Sequence, residues 1–203
     1  MERVIVYIDG FNLYFGMKEK GWGRYLWLDL PALARRLLKT GQDLAGVKYF
    51  TARVRDDKGK VARQTTFLQA LDTRGGLDIF YGRYQKKEKE CRSCGHQWTE
   101  FEEKMTDVRM STEVLRDAFN DHFDTAILVT ADADMLPPIE VVKSEFPAKR
   151  IVLAFPPERD NPSLRRVADN FFRIGRGRLS KSQLPKSIKK PDGYILKRPS
   201  SWA

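Results

Sequence analysis

The pattern of apolar and polar positions divides the chain into short apolar runs separated by amphipathic segments. Runs of five or six mostly apolar residues occupy positions 4–8, 47–51, 77–81, 126–130 and 150–155. Continuous runs of this length, without strict alternation, are typical of strands buried on both faces of a sheet. Residues 171–174 form a sixth and weaker candidate strand. The pattern therefore predicts a sheet with both faces covered.

Helical periodicity fills most of the intervals between these runs. Asp29 precedes leucines and alanines spaced i, i+3, i+4 and i+7 over residues 30–38, with Gly41 after them. Further helices are predicted over residues 61–71, 106–119, 135–145 and 163–170, the second of them with Thr106 as its N-cap. Strands that alternate with helices predict an α/β fold, a Rossmann-like central parallel sheet with helices on both faces.

Two charged segments fall outside this alternation. Residues 85–104 form an insertion that carries both cysteines, and residues 176–203 form a basic tail. The tail has eight Lys or Arg and one Asp, a net +7, which leaves +3 for the rest of a chain whose net charge is +10. We expect one domain over residues 1–175 and a mobile tail whose charge attracts a polyanion such as nucleic acid.

Several classes of protein are disfavoured by what the sequence lacks. No apolar run reaches the roughly 18 residues of a membrane helix, and the N-terminus is typical of a first strand and not of a signal peptide. We therefore expect a cytoplasmic protein with no membrane association. Two cysteines are too few for a disulfide framework. The glycine fingerprints of mononucleotide and dinucleotide phosphate loops are missing.

Aspartates follow two of the predicted strands and begin one of the helices. Asp9 ends the first strand, Asp132 and Asp134 follow the fourth, and Asp107 lies on the inward face of its helix, three residues before Met110. Each alone has a simple structural explanation, as an N-cap or as a complement to the helix dipole. Together they meet at one sheet edge, where mutual repulsion favours binding of Mg²⁺ or Mn²⁺.

A divalent cation at such a site activates water and stabilises charge on a phosphodiester, which predicts hydrolysis. The sequence leaves open whether one or two ions bind. A metal-free mechanism with two histidines would need both His96 and His122, the two that the chain has. An aspartyl-phosphate mechanism is disfavoured because Asp9 is followed by Gly-Phe, where an Asp-x-Asp motif is expected.

Three blocks carry a resemblance to a known family, in matching order. They are Val-Tyr-Ile-Asp-Gly-Phe-Asn-Leu-Tyr at 6–14, Glu-Lys-Met-Thr-Asp-Val-Arg-Met at 103–110, and Leu-Val-Thr-Ala-Asp-Ala-Asp-Met-Leu-Pro-Pro at 128–138. The chain resembles NYN domains, a branch of the PIN-like nuclease superfamily close to the LabA-like group. The resemblance covers roughly residues 4–174 and implies a PIN fold with metal-dependent cleavage of RNA.

The resemblance also implies roles for individual residues. Asn12 falls on the family's asparagine, which contacts the metal shell or orients substrate, and Thr130-Ala131 stands where Ser-Gly is common. Lys104 and Arg109 flank the acidic helix position and are candidates for phosphate contact, as are Asn12 and Thr130; ordinary surface charge is the alternative for the two cations. The implied catalytic residues are Asp9, Asn12, Asp107, Asp132 and Asp134, and the four aspartates are the implied metal ligands.

The cysteine insertion resembles half of a zinc site. Cys91-Arg-Ser-Cys94-Gly-His96 has the spacing of one zinc knuckle, but a structural zinc ion usually has four ligands. His96, His122 or a second copy of the chain in a homodimer could complete the set. An unmetallated cysteine pair and a redox switch are the alternatives.

Three functions are consistent with these patterns. The first is a metal-dependent endoribonuclease. The second is a PIN-like module that binds RNA without cutting it, and the third is a regulatory protein whose tail docks a partner. The sequence does not distinguish RNA from DNA. Loss of cleavage with a chelator separates the first function from the second, and a steep salt dependence of binding separates the second from the third.

Overall fold

A computed structural model describes residues 1–55 and 57–202, except for the side chains of residues 84, 86 and 100–103. The strands are β1 Glu2–Asp9, β2 Gln42–Thr51, β3 Asp78–Tyr81, β4 Arg83–Glu90, β5 Gln97–Lys104, β6 Thr125–Val129, β7 Arg150–Phe155, β8 Asn170–Arg173, β9 Ser187–Lys189 and β10 Ile195–Lys197. The α-helices are α1 Gly10–Glu19, α2 Leu30–Arg35, α3 Lys58–Arg74, α4 Thr106–Phe119, α5 Leu136–Glu145, α6 Pro162–Val167 and α7 Arg176–Ser180.

Six strands form one parallel sheet in the order β3-β2-β1-β6-β7-β8. Successive residues of β1 face opposite cores: Val4, Val6 and Ile8 pack into one, and Ile5 and Tyr7 into the other. The α/β prediction is confirmed. Strand β2 pairs with one edge of β1, and β6 pairs with the other edge. After β1 the chain therefore builds the sheet in one direction through β2 and β3, and then in the opposite direction from β6, so the strand order reverses between β1 and β6. In open parallel sheets, such a reversal is where ligand sites form.

Helix α1 is one of the elements that the hydrophobic pattern did not predict. Its sequence, Gly-Phe-Asn-Leu-Tyr-Phe-Gly-Met-Lys-Glu, includes two glycines, which weaken a helix. Tertiary packing explains both. A Cβ on Gly10 would lie 2.8 Å from the carbonyl oxygen of Phe50, and one on Gly16 would lie 2.3 Å from that of Pro157. The glycines therefore allow α1 to lie close to the end of the sheet.

Boundaries of other elements also differ from the predictions. Helix α2 ends at Arg35 and β2 begins at Gln42, so the predicted helix was too long and the predicted strand too short. Thr106 is the first residue of α4 and not its N-cap, since the cap position belongs to Met105 with φ of 77°. The charged insertion is an antiparallel hairpin of β4 and β5, outside the main sheet.

The basic tail folds against the body, contrary to the mobility that its composition predicts. Apolar residues spaced among the charges are buried in the same core as β1, namely Leu179, Leu184, Ile188, Leu196 and Trp202. The indole N–H of Trp27 donates to the carbonyl oxygen of Pro185 at 2.7 Å, and the backbone N–H of Leu184 donates to that of Trp27 at 3.0 Å. These contacts hold the segment in place.

Some of the tail's positive charge contacts the body. Arg176 donates to the hydroxyl of Tyr25 at 2.8 Å. Arg178 donates to the carbonyl oxygen of Arg36 at 3.1 Å, and its guanidinium lies 4.9 Å from the ring centroid of Phe172. The picture of a loose electrostatic arm is therefore wrong for this part of the tail. Within residues 1–55 and 57–202, no helix has the length and apolar character needed to cross a bilayer.

Trp202 tests whether the tail is part of the folded body. Its ring lies 6.4 Å from that of Trp27 and 5.8 Å from that of Phe67. We expect Trp202→Ala to lower the free energy of unfolding by about 3–5 kcal/mol, because it leaves a cavity in the core. Urea denaturation measures this. Tyr194→Ala, in the same tail but 64% exposed, is the control with little expected effect. Equal stability of both variants would mean that the tail is detached.

Candidate acidic active site

Asp9 is the buried centre of the acidic edge of the sheet. It is the last residue of β1 and the N-cap of α1, and it is 5% exposed. Its Oδ1 accepts the backbone N–H of Asn12 at 3.0 Å, and its Oδ2 accepts the hydroxyl of Thr130 at 3.1 Å. Both carboxylate oxygens are thus fixed, one by α1 and the other by the segment after β6.

The electrostatic surroundings of Asp9 disfavour its charged form. Burial, with smaller contributions from the negative charges of Asp107 and Asp132, raises the pKa of Asp9 to about 7, although the hydrogen bonds from Asn12 and Thr130 act to lower it. The Thr130 hydroxyl links Asp9 to the backbone of Asp132, and α4, which begins beside Asp107, contacts the turn 133–135. Three of the four predicted aspartates thus come to one end of the sheet from three different elements.

The segment after β6 is ordered by a short chain of hydrogen bonds. The hydroxyl of buried Thr130 accepts the backbone N–H of Asp132 at 3.1 Å, and Oδ1 of Asp132 accepts the backbone N–H of Asp134 at 3.0 Å. Asp132 is thus the N-cap of the 3₁₀ turn 133–135, one of the two explanations open from sequence. Asp134 is exposed and belongs to the rim of the site.

Two asparagines join this segment to its neighbours. Oδ1 of Asn12 accepts the backbone N–H of Ala131 at 3.2 Å, and Nδ2 of Asn161 donates to the carbonyl oxygen of Ala131 at 3.1 Å. Asn161 is also the N-cap of α6. Sequence reasoning missed Asn161, although Asn followed by Pro162 is the signal of a capped helix start.

The acidic helix position lies at the start of α4. Asp107 is half-buried in the first turn, and Lys104 and Arg109 on either side of it are exposed. Met105, in the left-handed region at φ 77°, makes the sharp turn from β5 into α4. Phosphate contact by the two cations stays a prediction.

The donor set partly fits a hard divalent cation. Carboxylate and amide oxygens suit Mg²⁺ or Mn²⁺, which commonly bind to one or two carboxylates and complete their shell with water and substrate phosphate. In the part of the chain that the structure describes, no three His, Cys, Asp or Glu side chains stand close enough together to hold a metal ion. The residues therefore suit an ion that substrate and water help to bind, and they do not form a closed protein cage.

At the hairpin tip the chain turns so that the backbone N–H of Gly95 donates to the carbonyl oxygen of Cys91 at 2.8 Å. Backbone N–H groups of Ser93 and Cys94 donate to the sulfur of Cys91, and these bonds lower the pKa of the Cys91 thiol. The ring of His96 stacks on Trp98 with centroids 6.1 Å apart. Cys91 and Cys94 are not joined by a disulfide. The turn suits a metal thiolate, but zinc binding, with a homodimer to complete it, stays a prediction.

A buried ionic network under the acidic edge was also missed from the sequence. Lys48 of β2 donates to Glu113 at 2.8 Å and to Asp117 at 2.5 Å, and the Tyr7 hydroxyl donates to Asp117 at 2.7 Å. Burial raises the pKa of Asp117, but hydrogen bonds from Lys48, Tyr7 and His122 outweigh it and hold that pKa below the ordinary value. The network joins α4, which carries Asp107, to β1 and β2.

A cavity of about 170 Å³ adjoins the acidic edge on the side of α1. Gly10, next to Asp9, and Tyr49 and Thr51 of β2 contribute to its wall. Burial raises the pKa of Tyr49, and the charge of Asp9 raises it further, which places the two side chains in one electrostatic environment. The deeper wall is apolar and consists of Leu13, Met17, Leu28, Leu30, Phe67 and Trp202.

The raised pKa of Asp9 predicts a pH-dependent gain of stability in Asp9→Asn. Between pH 4 and 7 the folded protein keeps a proton that the unfolded chain releases, so stability falls as pH rises through this window. The rise from 3.8 to about 7 corresponds to on the order of 4 kcal/mol. With EDTA present, urea denaturation should show Asp9→Asn more stable than wild type at pH 8, and much less so at pH 5.

The same substitution at the rim is the matched control. Asp134→Asn replaces an exposed carboxylate, so its stability should stay within about 0.5 kcal/mol of wild type at both pH values. A gain for Asp9→Asn that does not change with pH would contradict the assignment of the raised pKa to Asp9.

Comparisons with known proteins agree with the fold. The chain is 28% identical to 6-hydroxy-3-succinoylpyridine 3-monooxygenase HspA of Pseudomonas putida, over 98% of this chain and 75% of that protein. A protein of unknown function from Vibrio parahaemolyticus shares the fold, with a TM-score of 0.59, 19% identity, and coverage of 90% of this chain and 96% of the other. The model of the NYN domain matches residues 3–175, and the chain therefore belongs to the NYN domain family, within the PIN-like nuclease superfamily.

Proposed function

We propose that the protein is a metal-dependent ribonuclease that hydrolyses phosphodiester bonds at the acidic edge of its sheet. The observation that carries the proposal is the buried Asp9 carboxyl, whose pKa is raised by burial and by the neighbouring charges of Asp107 and Asp132. Carboxylates that lie close together repel one another and so lower the stability of the fold, and such groups cluster at functional sites. In parallel sheets these sites form where the strand order reverses.

Each residue has a distinct part in this proposal. One or two of the carboxylates of Asp9, Asp107 and Asp132 would bind the cation directly and the rest through water, and Asp134 at the rim would approach it from the solvent side. Mg²⁺ or Mn²⁺, when bound, lowers the pKa of water and stabilises negative charge on the phosphate. Asn12 and Thr130 fix the position of Asp9 and of the segment after β6, through the bonds at 3.0–3.2 Å.

The half-exposed carboxylates are the ones that substrate can approach. Asp107 and Asp132 are partly exposed, whereas Asp9 is nearly buried. We therefore assign to Asp9 the anchoring of the site, and to Asp107 and Asp132 the side that faces the scissile phosphate. Lys104 and Arg109 are exposed beside Asp107 and would neutralise flanking phosphates.

A cleavage assay with labelled single-stranded RNA and matched DNA tests this proposal. With Mn²⁺ or Mg²⁺ we expect cutting of RNA that EDTA abolishes. Asp132→Asn should slow it by about a hundredfold or more, because the substitution removes charge from the cation site. Asparagine is as good an N-cap as aspartate, so the 3₁₀ turn should keep its structure.

Asp29→Asn is the matched control for this variant. It also replaces an N-cap aspartate by asparagine, at the start of α2, and should leave the rate unchanged. Cutting that persists in EDTA, or that Asp132→Asn leaves intact, would refute the assignment. RNA binding without cutting, weakened steeply by salt, would favour the non-catalytic binding module.

A second candidate function is oxygenation of a small aromatic acid. The relative from Pseudomonas putida is named a monooxygenase for 6-hydroxy-3-succinoylpyridine, and the apolar cavity beside Asp9 is the observation that favours the candidate here. A monooxygenase consumes O₂ together with two electrons from a reductant. Oxygen uptake with 6-hydroxy-3-succinoylpyridine and reduced nicotinamide or flavin tests it. Uptake no faster than with heat-denatured protein would remove this candidate.

A further inference from the structure

We infer that the cavity between α1, β2, α3 and the C-terminal segment binds a single six-membered aromatic ring that carries an acidic group. Such a ligand is of the class proposed for the second candidate function, but binding of the ring requires neither candidate activity. Four features support the inference: the size of the cavity, the character of its walls, the charge at its mouth and its position beside Asp9.

The size of the cavity selects one ring. Its volume is about 170 Å³. An apolar cavity of about 150 Å³ in a well-studied protein binds benzene. A benzene, pyridine or pyrimidine ring therefore matches the space, whereas a fused purine exceeds it.

The walls offer apolar and aromatic surface to a ring. Phe67 and Trp202 contribute two aromatic side chains whose centroids are 5.8 Å apart and whose planes are nearly perpendicular. Aliphatic side chains complete the deeper part, and Phe15 at the outer part is 44% exposed. Aromatic faces and edges arranged in this way stack well on a planar ligand.

Positive charge lines the mouth of the cavity. Lys18, Lys60 and Arg63 all belong to its lining. Lys18 comes from α1, and the other two come from the first turns of α3. Among residues 1–55 and 57–202, no Asp or Glu is in the lining. Arg63 is half-buried, and its planar guanidinium matches a carboxylate or a phosphate with two hydrogen bonds. An anionic group outside the ring therefore complements this mouth.

The cavity opens beside the acidic site and does not coincide with it. Gly10 lines the cavity, and the preceding residue is Asp9. Thr51 and Tyr49 line it from the end of β2, where Phe50 pairs with Asp9. A ring in the cavity would thus lie against the same strand ends that carry the carboxylates. Small-molecule sites in parallel sheets form in such crevices.

Isothermal titration calorimetry with benzoate and pyridine-3-carboxylate tests the inference. We expect both to bind with a Kd of about 1 mM or tighter, and neutral benzamide to bind about tenfold more weakly. Arg63→Gln should weaken benzoate to the level of benzamide. Arg35→Gln, which removes an exposed arginine at the end of α2, is the matched control and should bind as wild type does.

Val54→Trp tests the location of the ring. Val54 lines the cavity from a loop, and its backbone N–H, which donates to Gln64 at 2.9 Å, is unaffected by the substitution. The larger side chain should occupy the cavity and abolish benzoate binding. Binding that survives both Val54→Trp and Arg63→Gln, or the lack of any binding by wild type, would overturn the inference.

Competition with two nucleotides shows whether the ring belongs to a nucleotide or to a small acid. Uridine 5′-monophosphate that competes with benzoate would support the inference and identify the ring as a pyrimidine base. Competition by the small acids alone would also support it, and would identify a metabolite-like ligand. Tighter binding of adenosine 5′-monophosphate than of either would overturn the one-ring limit. Asp132→Asn should bind benzoate unchanged, so a failed cleavage assay and a failed binding assay remain separate results.

Discussion

The position of the Asp9 carboxylate is the constraint on which the rest of the site depends. One oxygen is held by the first turn of α1 and the other by the hydroxyl that follows β6. Because the two donors belong to elements on opposite sides of the reversal in strand order, these bonds join the two halves of the sheet at its functional end. Asn12 adds a third link between the same two elements.

At this edge of the sheet, favourable packing is accompanied by unfavourable repulsion between negative charges. The core residues of β1 and β6 bury the strand end and remove Asp9 from water, while Asp107 and Asp132 add negative charge nearby. Below the site, Lys48 forms ion pairs with Glu113 and Asp117, and these pairs help to fix the helix that carries Asp107. The protein thus pairs these two acids with a buried lysine, while burial and nearby negative charge disfavour the charged form of Asp9. Such strain is typical of sites that bind or react.

Periodicity was enough to predict the sheet and most of its helices, because strands 4–8 and 126–130 are buried on both faces and so are continuously apolar. It missed α1, whose glycines are required by tertiary contacts that no local pattern encodes. The strand-end positions of Asp9 and Asp132 followed from the parallel sheet. The contacts of Asn161 and Lys48 could not be predicted from the sequence, because their hydrogen-bond partners lie 30 and 65 or more residues away along the chain. The prediction of a mobile tail was wrong, because the average composition does not show that a few apolar side chains are spaced along the tail so that they pack into the core.

Trp202, which forms part of the cavity wall, lies outside residues 3–175, the part of the chain that matches the family. All the residues of the acidic edge precede position 162, so during synthesis from the N-terminus they are available some forty residues before the cavity can close. Substitutions in the last segment could therefore reshape what the cavity accepts without touching a carboxylate. Evolution can in this way vary the choice of ligand while it keeps the acidic chemistry constant.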